Sequence, residues 1–332
     1  GSVIERTGGI LQGMSGSPVY INGKLVGAVA TGLKEMSPYT FFIRPIESMI
    51  KLWDMPDDKA IQNVVQVVED NKSEENNNTE ETNTEENISE DEQVEEKSSL
   101  FFSGFDSSGL DFLKNEFKPL GFKNFFAMSN SGSSDNVKYD ATLEPGAAMG
   151  VAVVCGDFVV GATGTVTAVD DKKILAFGHP FTHAGNVNFF MTDSAVIGSM
   201  SGTNGNGVKI ANVGNIIGRI NQDREAGIAG ILGKFPSTVP ITVTVNDSAQ
   251  NISETYNSTI AYNETLIPKL GASIAYTALS KTADSLAEST VSVDFDIRTN
   301  VVDGGTFSRK NMFYNATDVG QVAVIRSEER RV

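Results

Sequence analysis

The sequence Gly13-Met14-Ser15-Gly16-Ser17-Pro18 places a serine on a tight turn between two glycines. Gly13 and Gly16 allow the backbone to bend sharply beside Ser15 without a Cβ clash. A serine hydroxyl is a weak nucleophile at neutral pH, so it needs a base and hydrogen-bond donors for the oxyanion it creates. The pattern predicts Ser15 as a nucleophile and the amides of Gly13 and Ser15 as an oxyanion hole. The alternative is an ordinary glycine-serine turn between two strands.

The residues after this turn favour the first interpretation. Apolar runs at 19–21 and 25–29 flank Asn22-Gly23, and both turn residues tolerate positive φ, which predicts a hairpin. A strand at 39–43 and an amphipathic helix opened by Pro45 follow. Turn, hairpin, strand and short closing helix follow one another in the same order at the end of chymotrypsin-like serine proteases.

Three segments together resemble the sporulation protein IVB peptidase family. The first is the serine turn in its context, Thr7 to Val29, and the second runs from Gly164-Thr165-Val166-Thr167 to Gly178-His179-Pro180-Phe181. The third is the glycine-containing block at 217–230. The resemblance covers residues 3 to 54 and 141 to 250. It implies a bacterial serine endopeptidase outside the cytoplasm, with trypsin-like barrels and a protein substrate.

The chain contains only two histidines, His179 and His183, so a serine–histidine enzyme must use one of them. His179 follows a predicted strand at 174–177 and stands directly behind Gly178, where a rigid side chain can face a cleft. Its reference pKa of about 6.5 suits a base that accepts the serine proton and returns it to the leaving amine. We predict His179 as this base. His183, in a more polar turn, is the alternative, and a structural histidine bonded to backbone groups is another.

The acid of the triad is not assigned. The resemblance implies an aspartate upstream of the serine, at a distance that falls before Gly1. Asp223 is expected to pair with Arg224 or Arg219. An orienting acid fixes the imidazole tautomer, so its loss slows catalysis greatly without abolishing it. The other carboxylates considered are Glu5, Asp157, Asp170, Asp171 and Asp193.

The order of the two motifs is reversed, because Ser15 precedes His179, whereas the histidine comes first in the family and in trypsin. Function depends on proximity in space rather than on chain order. We therefore expect a mainly β fold with trypsin-like barrel architecture, permuted or fragmentary, and a few short helices. The competing hypothesis is a catalytically inactive, protease-like interaction or scaffold module of the cell envelope.

The net charge of −16 is concentrated in one segment, since thirteen acidic residues and two lysines lie between 69 and 97. This segment has almost no apolar residues and is expected to be disordered. It is either a flexible tether or an acidic binding tail. No basic patch indicates nucleic-acid binding. We predict a nucleophile-bearing β unit at 1–55, an acidic linker at 56–99, a small helical and aromatic segment with a loop at 100–140, and a β-rich domain with the histidine motif at 141–332.

Other chemistry finds no support in the sequence. Cys155, the single cysteine, lies in an apolar run and is expected to be a buried, inert thiol. Neither a metal site nor a cofactor motif is present. No membrane span or signal peptide is visible, and the oligomeric state is left open. The remaining element predictions are strands at 150–157, 161–169, 240–245, 290–295 and 322–325, and helices at 110–117 and 267–286.

Overall fold

The computed structural model describes residues 2–32, 39–57, 100–118, 125–128, 143–200, 207–283, 285–300 and 302–328. Nearly all of the predicted acidic linker, and the loop predicted within 100–140, lie outside these ranges. The described chain is mainly β, with one large sheet and a few short helices, as the sequence predicts. The division into domains stays a prediction.

The serine turn leads into a three-stranded antiparallel sheet. Its predicted hairpin is confirmed, and Asn22 and Gly23 have φ values of 51° and 74° at its tip. The predicted helix after Pro45 is confirmed and continues as a 3₁₀ turn over Lys51–Asp54. The elements of this unit are α1 (Ser2–Thr7), β1 (Pro18–Ile21), β2 (Lys24–Gly32), β3 (Phe41–Pro45) and α2 (Ile46–Ile50).

Ten further strands form one sheet. The strands predicted within 141–250 are confirmed, and two short strands from the aromatic segment join the same sheet. The strands are β4 (Leu100–Ser103), β5 (Phe125–Met128), β6 (Ala148–Gly156), β7 (Val159–Asp170), β8 (Lys173–Ala176), β9 (Gly185–Met200), β10 (Val208–Arg224), β11 (Gly227–Leu232), β12 (Thr238–Asp247) and β13 (Ile252–Ala261).

Six of these strands close into an antiparallel barrel. The sheet order runs β6-β9-β10-β11-β8-β7, and an additional pairing of β6 with β7 completes the ring. Large side chains such as Phe158, Phe177 and Phe189 fill the core and are almost completely buried. This barrel is consistent with the predicted trypsin-like architecture.

Helices cover the outer strands of the sheet, and a separate hairpin follows them. The two predicted helices are confirmed as α3 (Ser107–Phe117) and α4 (Leu266–Thr282), and the predicted strand at 290–295 lies within the hairpin. Leu270 and Ile274 of α4 are buried in the main core. The last elements are β14 (Ser289–Arg298), β15 (Thr306–Asn315) and α5 (Val319–Glu328).

The predicted strand at 322–325 is wrong, because these residues belong to the helix α5. Val319 and Ala323, four residues apart, are both buried, which is the spacing of one helix face. Asp318 begins the helix, and its Oδ1 accepts a 3.0 Å hydrogen bond from the amide of Gln321. A short apolar run does not distinguish a strand from one face of a helix.

The unit that bears the serine packs directly on the barrel. Ala28 and Met49 are completely buried and form a small core with Leu175 of β8 and Ala229 of β11. Arg219 of β10, itself buried, forms an ion pair with Asp57. The serine turn is therefore held against the barrel by apolar contacts and by charge.

Candidate active site

The turn around Ser15 has the backbone geometry that its glycines predict. Gly13 and Gly16 have φ values of 90° and 92°, a region that favours glycine. The amide of Gly16 donates a 2.7 Å hydrogen bond to the carbonyl of Val29. A Cβ on Gly16 would lie 2.0 Å from the carbonyl oxygen of Thr165 and 2.5 Å from the nitrogen of Phe177. Both the conformation and the close packing therefore require glycine at position 16.

Strand β7 of the barrel fixes this turn. The amide of Thr165 donates to the carbonyl of Ser15 at 2.9 Å, and the Thr165 hydroxyl donates to the carbonyl of Gly13 at 3.2 Å. The buried hydroxyl of Thr167 donates to the carbonyl of Gly16 at 2.7 Å. Strand β7 therefore holds the carbonyls of Gly13, Ser15 and Gly16 in place.

The amides of Gly13 and Ser15, the predicted oxyanion hole, donate to no group among the described residues. By contrast, the amides of Met14, Gly16 and Ser17 all donate to backbone carbonyls. Two amides beside one serine that have no acceptor among the described residues are consistent with a site for an anionic oxygen.

The Ser15 hydroxyl donates a 3.1 Å hydrogen bond to the carbonyl of Ala30 in β2. The His179 ring is engaged elsewhere, and no hydrogen bond joins Ser15 to His179. The two segments nevertheless pack on the same stretch of β2. A Cβ on Gly178 would lie 3.1 Å from the carbonyl oxygen of Val29, whose carbonyl also accepts the amide of Gly16.

His179 stands just beyond the end of β8, as the sequence predicts. Phe177 and Gly178 have φ values of 71° and 69°, and they turn the chain out of the barrel wall. The ring is 7% exposed, and its Nδ1 is 2.8 Å from the carbonyl oxygen of Pro180. Because a carbonyl only accepts, Nδ1 carries the proton in the neutral ring and Nε2 keeps its lone pair. This is the tautomer that a base acting through Nε2 needs.

Burial lowers the pKa of His179 below its ordinary value of 6.5. The Pro180 carbonyl and the charges of Asp223 and Glu225 act against this by raising the pKa, whereas Arg44 lowers it. The ring is therefore neutral near pH 7 and able to accept a proton.

No carboxylate among the described residues bonds to His179. Asp193 and Asp223 are buried, but Asp193 accepts from the amide of Asn215 at 2.6 Å. The expected pairing of Asp223 with an arginine is wrong, since Arg219 pairs with Asp57 and Arg224 donates to Gln222. Glu5, Asp170 and Asp171 are exposed, and Asp157 accepts from the amide of Asn257.

Lys209 is a residue of this region that the sequence does not single out. It is buried, and its Nζ donates to the carbonyl of Gly164 at 3.1 Å and to the hydroxyl of Thr165 at 3.2 Å. Burial lowers its pKa from 10.5 to about 8. The sequence signal for its burial is the alternation of inward and outward residues along β10. Lys209 lies on the same face of this strand as Ala211, which is also buried.

Within the described ranges, no group of His, Cys, Asp and Glu residues has a metal-binding arrangement, and no helix has the length and apolar character of a membrane span. Burial raises the pKa of Cys155 to about 12, in keeping with an unreactive thiol.

Comparison with known proteins gives one match, over residues 1–50, to the family model described as SpoIVB peptidase S55. The matched part contains the serine turn and the hairpin, and it points to a serine peptidase family. It does not reach His179, so the reversed order of the motifs has no support from it. No curated protein and no solved structure matches the chain.

Proposed function

We propose that this chain is a serine endopeptidase in which Ser15 is the nucleophile and His179 is the general base. The observation that carries the proposal is that the amides of Gly13 and Ser15 have no acceptor among the described residues, on a turn that packs against the same strand as Gly178. The match of residues 1–50 to a serine peptidase family supports it.

In the proposed reaction, the Ser15 hydroxyl leaves the Ala30 carbonyl by rotation about χ1 and attacks the carbonyl carbon of a peptide bond. His179 Nε2 takes the hydroxyl proton as the new C–O bond forms. The amides of Gly13 and Ser15 hold the resulting oxyanion, and each such donor contributes about 3 kcal/mol to the transition state. The imidazolium then protonates the leaving amine, and water hydrolyses the acyl-serine with His179 acting again as base.

The proposed substrate, a protein or peptide, rests on the peptidase family model that matches residues 1–50. Acyl transfer through a serine needs no metal or redox group, so the proposed reaction uses no cofactor. Action outside a bacterial cytoplasm is proposed on the resemblance to sporulation peptidases alone.

One observation favours a second candidate, an inactive protease-like module of the cell envelope. Ser15 and His179 each bond to a backbone carbonyl rather than to each other, and His179 has no carboxylate partner among the described residues. A protein that kept the fold and lost the acid would show these features. Hydrolysis assays on the purified chain separate the two candidates.

The test uses denatured casein as the probe and compares wild type with Ser15→Ala. The proposal predicts that Ser15→Ala lowers kcat by about 10⁴-fold or more. Ser48→Ala is the control, because the Ser48 hydroxyl also bonds to a backbone carbonyl, that of Pro45, but lies on α2. Equal hydrolysis by wild type and Ser15→Ala removes Ser15 as the nucleophile. No hydrolysis by any of the three proteins favours the inactive module.

A further inference from the structure

The loop that follows His179 is organised by one carboxylate, that of Asp223. Its Oδ1 accepts the amide of Phe181 at 2.7 Å. Its Oδ2 accepts the amide and the hydroxyl of Thr182 at 2.7 and 2.6 Å, and a longer bond of 3.4 Å from the amide of Ala184. Four donors from three residues, Phe181, Thr182 and Ala184, thus converge on a single side chain.

Asp223 is itself rigidly placed in the barrel wall. It lies near the end of β10, where it pairs with Gly185 of β9 on one side and with Ile228 of β11 on the other. Its exposure is 0%. The 181–184 loop is therefore held to the barrel between two fixed points, β8 before it and β9 after it, with Asp223 beneath it.

A fully buried carboxylate is costly unless its charge is compensated. Asp223 accepts no hydrogen bond from an arginine or lysine of the described chain, so its compensation comes from the loop's own donors. Hydrogen bonds from backbone amides to a carboxylate are charge-assisted, and they are stronger than bonds between neutral groups. The loop conformation and the negative charge at position 223 therefore depend on each other.

The atom that orients His179 adjoins the same loop. Pro180, the residue just before the loop, provides the carbonyl that accepts from Nδ1, and the next residue, Phe181, donates its amide to Asp223. The charge of Asp223 also favours the imidazolium form of His179. The other charged groups that face the ring are Glu225, which acts in the same direction, and Arg44, which opposes it and forms an ion pair with Glu225.

We propose that Asp223 is a positioning residue for His179, and that it shares with the Pro180 carbonyl the work that a carboxylate does in a serine-protease triad. The carbonyl selects the tautomer, and Asp223 fixes that carbonyl through the loop and stabilises the imidazolium through its charge. This inference rests on the proposed function, because it gives His179 the role of base.

The test compares Asp223→Asn with Asp193→Asn. Both aspartates are buried and accept a backbone amide, but Asp193 bonds to Asn215, away from the histidine loop. Nitrogen NMR of the labelled histidine rings reports the tautomer of His179, with His183→Asn to assign the two signals. Asn suits position 183, where φ is 62°. The proposal predicts a fixed Nδ1–H tautomer in wild type and in Asp193→Asn, and exchange between both tautomers in Asp223→Asn.

The kinetic readout is casein hydrolysis as a function of pH. We expect Asp223→Asn to lower kcat by at least about 10-fold, but by less than the roughly 10⁴-fold effect of removing a triad carboxylate. KM should change little. Loss of the negative charge destabilises the imidazolium, so the acidic limb of the profile moves to lower pH. Asp193→Asn is expected to keep both the wild-type kcat and the wild-type limb.

The outcomes separate the two proposals. A folded Asp223→Asn protein with the wild-type tautomer, kcat and acidic limb overturns the positioning role and leaves Asp223 as a structural brace. If wild type hydrolyses nothing, the proposed function fails, and the NMR comparison still decides whether Asp223 orients His179. If Asp223→Asn does not fold, Thr182→Val, which removes only the 2.6 Å hydroxyl bond, takes its place. It should change the tautomer and kcat in the same directions, and it should leave the acidic limb in place because the carboxylate charge remains.

Discussion

The amide of Thr165 donates a 2.9 Å hydrogen bond to the carbonyl of Ser15, and this bond makes the serine turn an extra partner of barrel strand β7. The bond joins the backbones of two residues that are 150 positions apart in the chain. Because β7 leads through β8 to His179, the barrel wall links the candidate nucleophile with the candidate base.

Substitution of Gly16 tests the packing of the turn. Gly16→Ala places a methyl group 2.0 Å from the Thr165 carbonyl oxygen at a φ of 92°, so we expect a loss of at least about 2 kcal/mol in the free energy of unfolding. Urea denaturation measures it. Gly23→Ala is the control, because Gly23 has a φ of 74° but no atom within 4 Å of its added Cβ. That variant should lose about 1 kcal/mol. Equal losses would show that packing on β7 does not constrain the turn.

Lys209 gives the protein a characteristic pH dependence of stability. The folded pKa of about 8 lies below the unfolded value of 10.5, so the unfolded chain binds more protons between these two values. The free energy of unfolding therefore rises with pH across this window, by roughly 3 kcal/mol. Lys209→Met should abolish this rise, whereas the exposed Lys310→Met should keep it. A Lys209→Met protein with the wild-type slope would show that Lys209 titrates normally.

In the proposed mechanism, protonation of His179 sets the acidic limit of activity. Burial lowers its pKa, so the midpoint of the acidic limb of kcat/KM should lie below 6.5. The lowered pKa of His179 also affects the free energy of unfolding. As the pH falls, the unfolded chain protonates this histidine before the folded chain does. The free energy of unfolding therefore falls as the pH drops below 6.5, and it levels off below the folded pKa. His183→Asn should leave the kinetic limb in place. A limb that moves with His183→Asn instead would assign the base to His183.

Removal of the ion pair between Asp57 and Arg219 tests how much this contact contributes to holding the serine unit on the barrel. Arg219 is 3% exposed, so Asp57→Ala leaves a buried guanidinium without its carboxylate. We expect a loss of about 2–3 kcal/mol in the free energy of unfolding. The exposed Asp54→Ala, three residues away, should change it by less than about 0.5 kcal/mol. A loss no greater than that of the control would mean that the pair contributes little to docking.

Much of the fold follows from local patterns. Alternation and turn residues locate the hairpin at Asn22-Gly23 and the barrel strands, because the signals for a tight turn or a single strand lie within a few residues. The helix at 319–328 was missed, since its apolar face consists of Val319 and Ala323 within a run that also suits a strand. Its capping residue, Asp318, was the available signal.

The candidate site is less accessible to sequence reasoning. Ser15 and His179 were singled out because their residue types and neighbouring glycines indicate a chemical role. Lys209 forms a hydrogen bond with Thr165, and Asp223 forms one with Thr182. In both pairs the two residues are distant in the chain. Nothing near either residue in sequence predicts these partners, because they depend on the closure of the barrel.

The most direct test of the central claim is fluorophosphonate labelling of wild-type protein, followed by mass spectrometry of the modified peptide. The account predicts one adduct on Ser15, which is lost in Ser15→Ala and strongly slowed in His179→Gln, while Ser48→Ala reacts normally. No adduct on Ser15, under conditions in which a control serine protease is fully labelled, would contradict it.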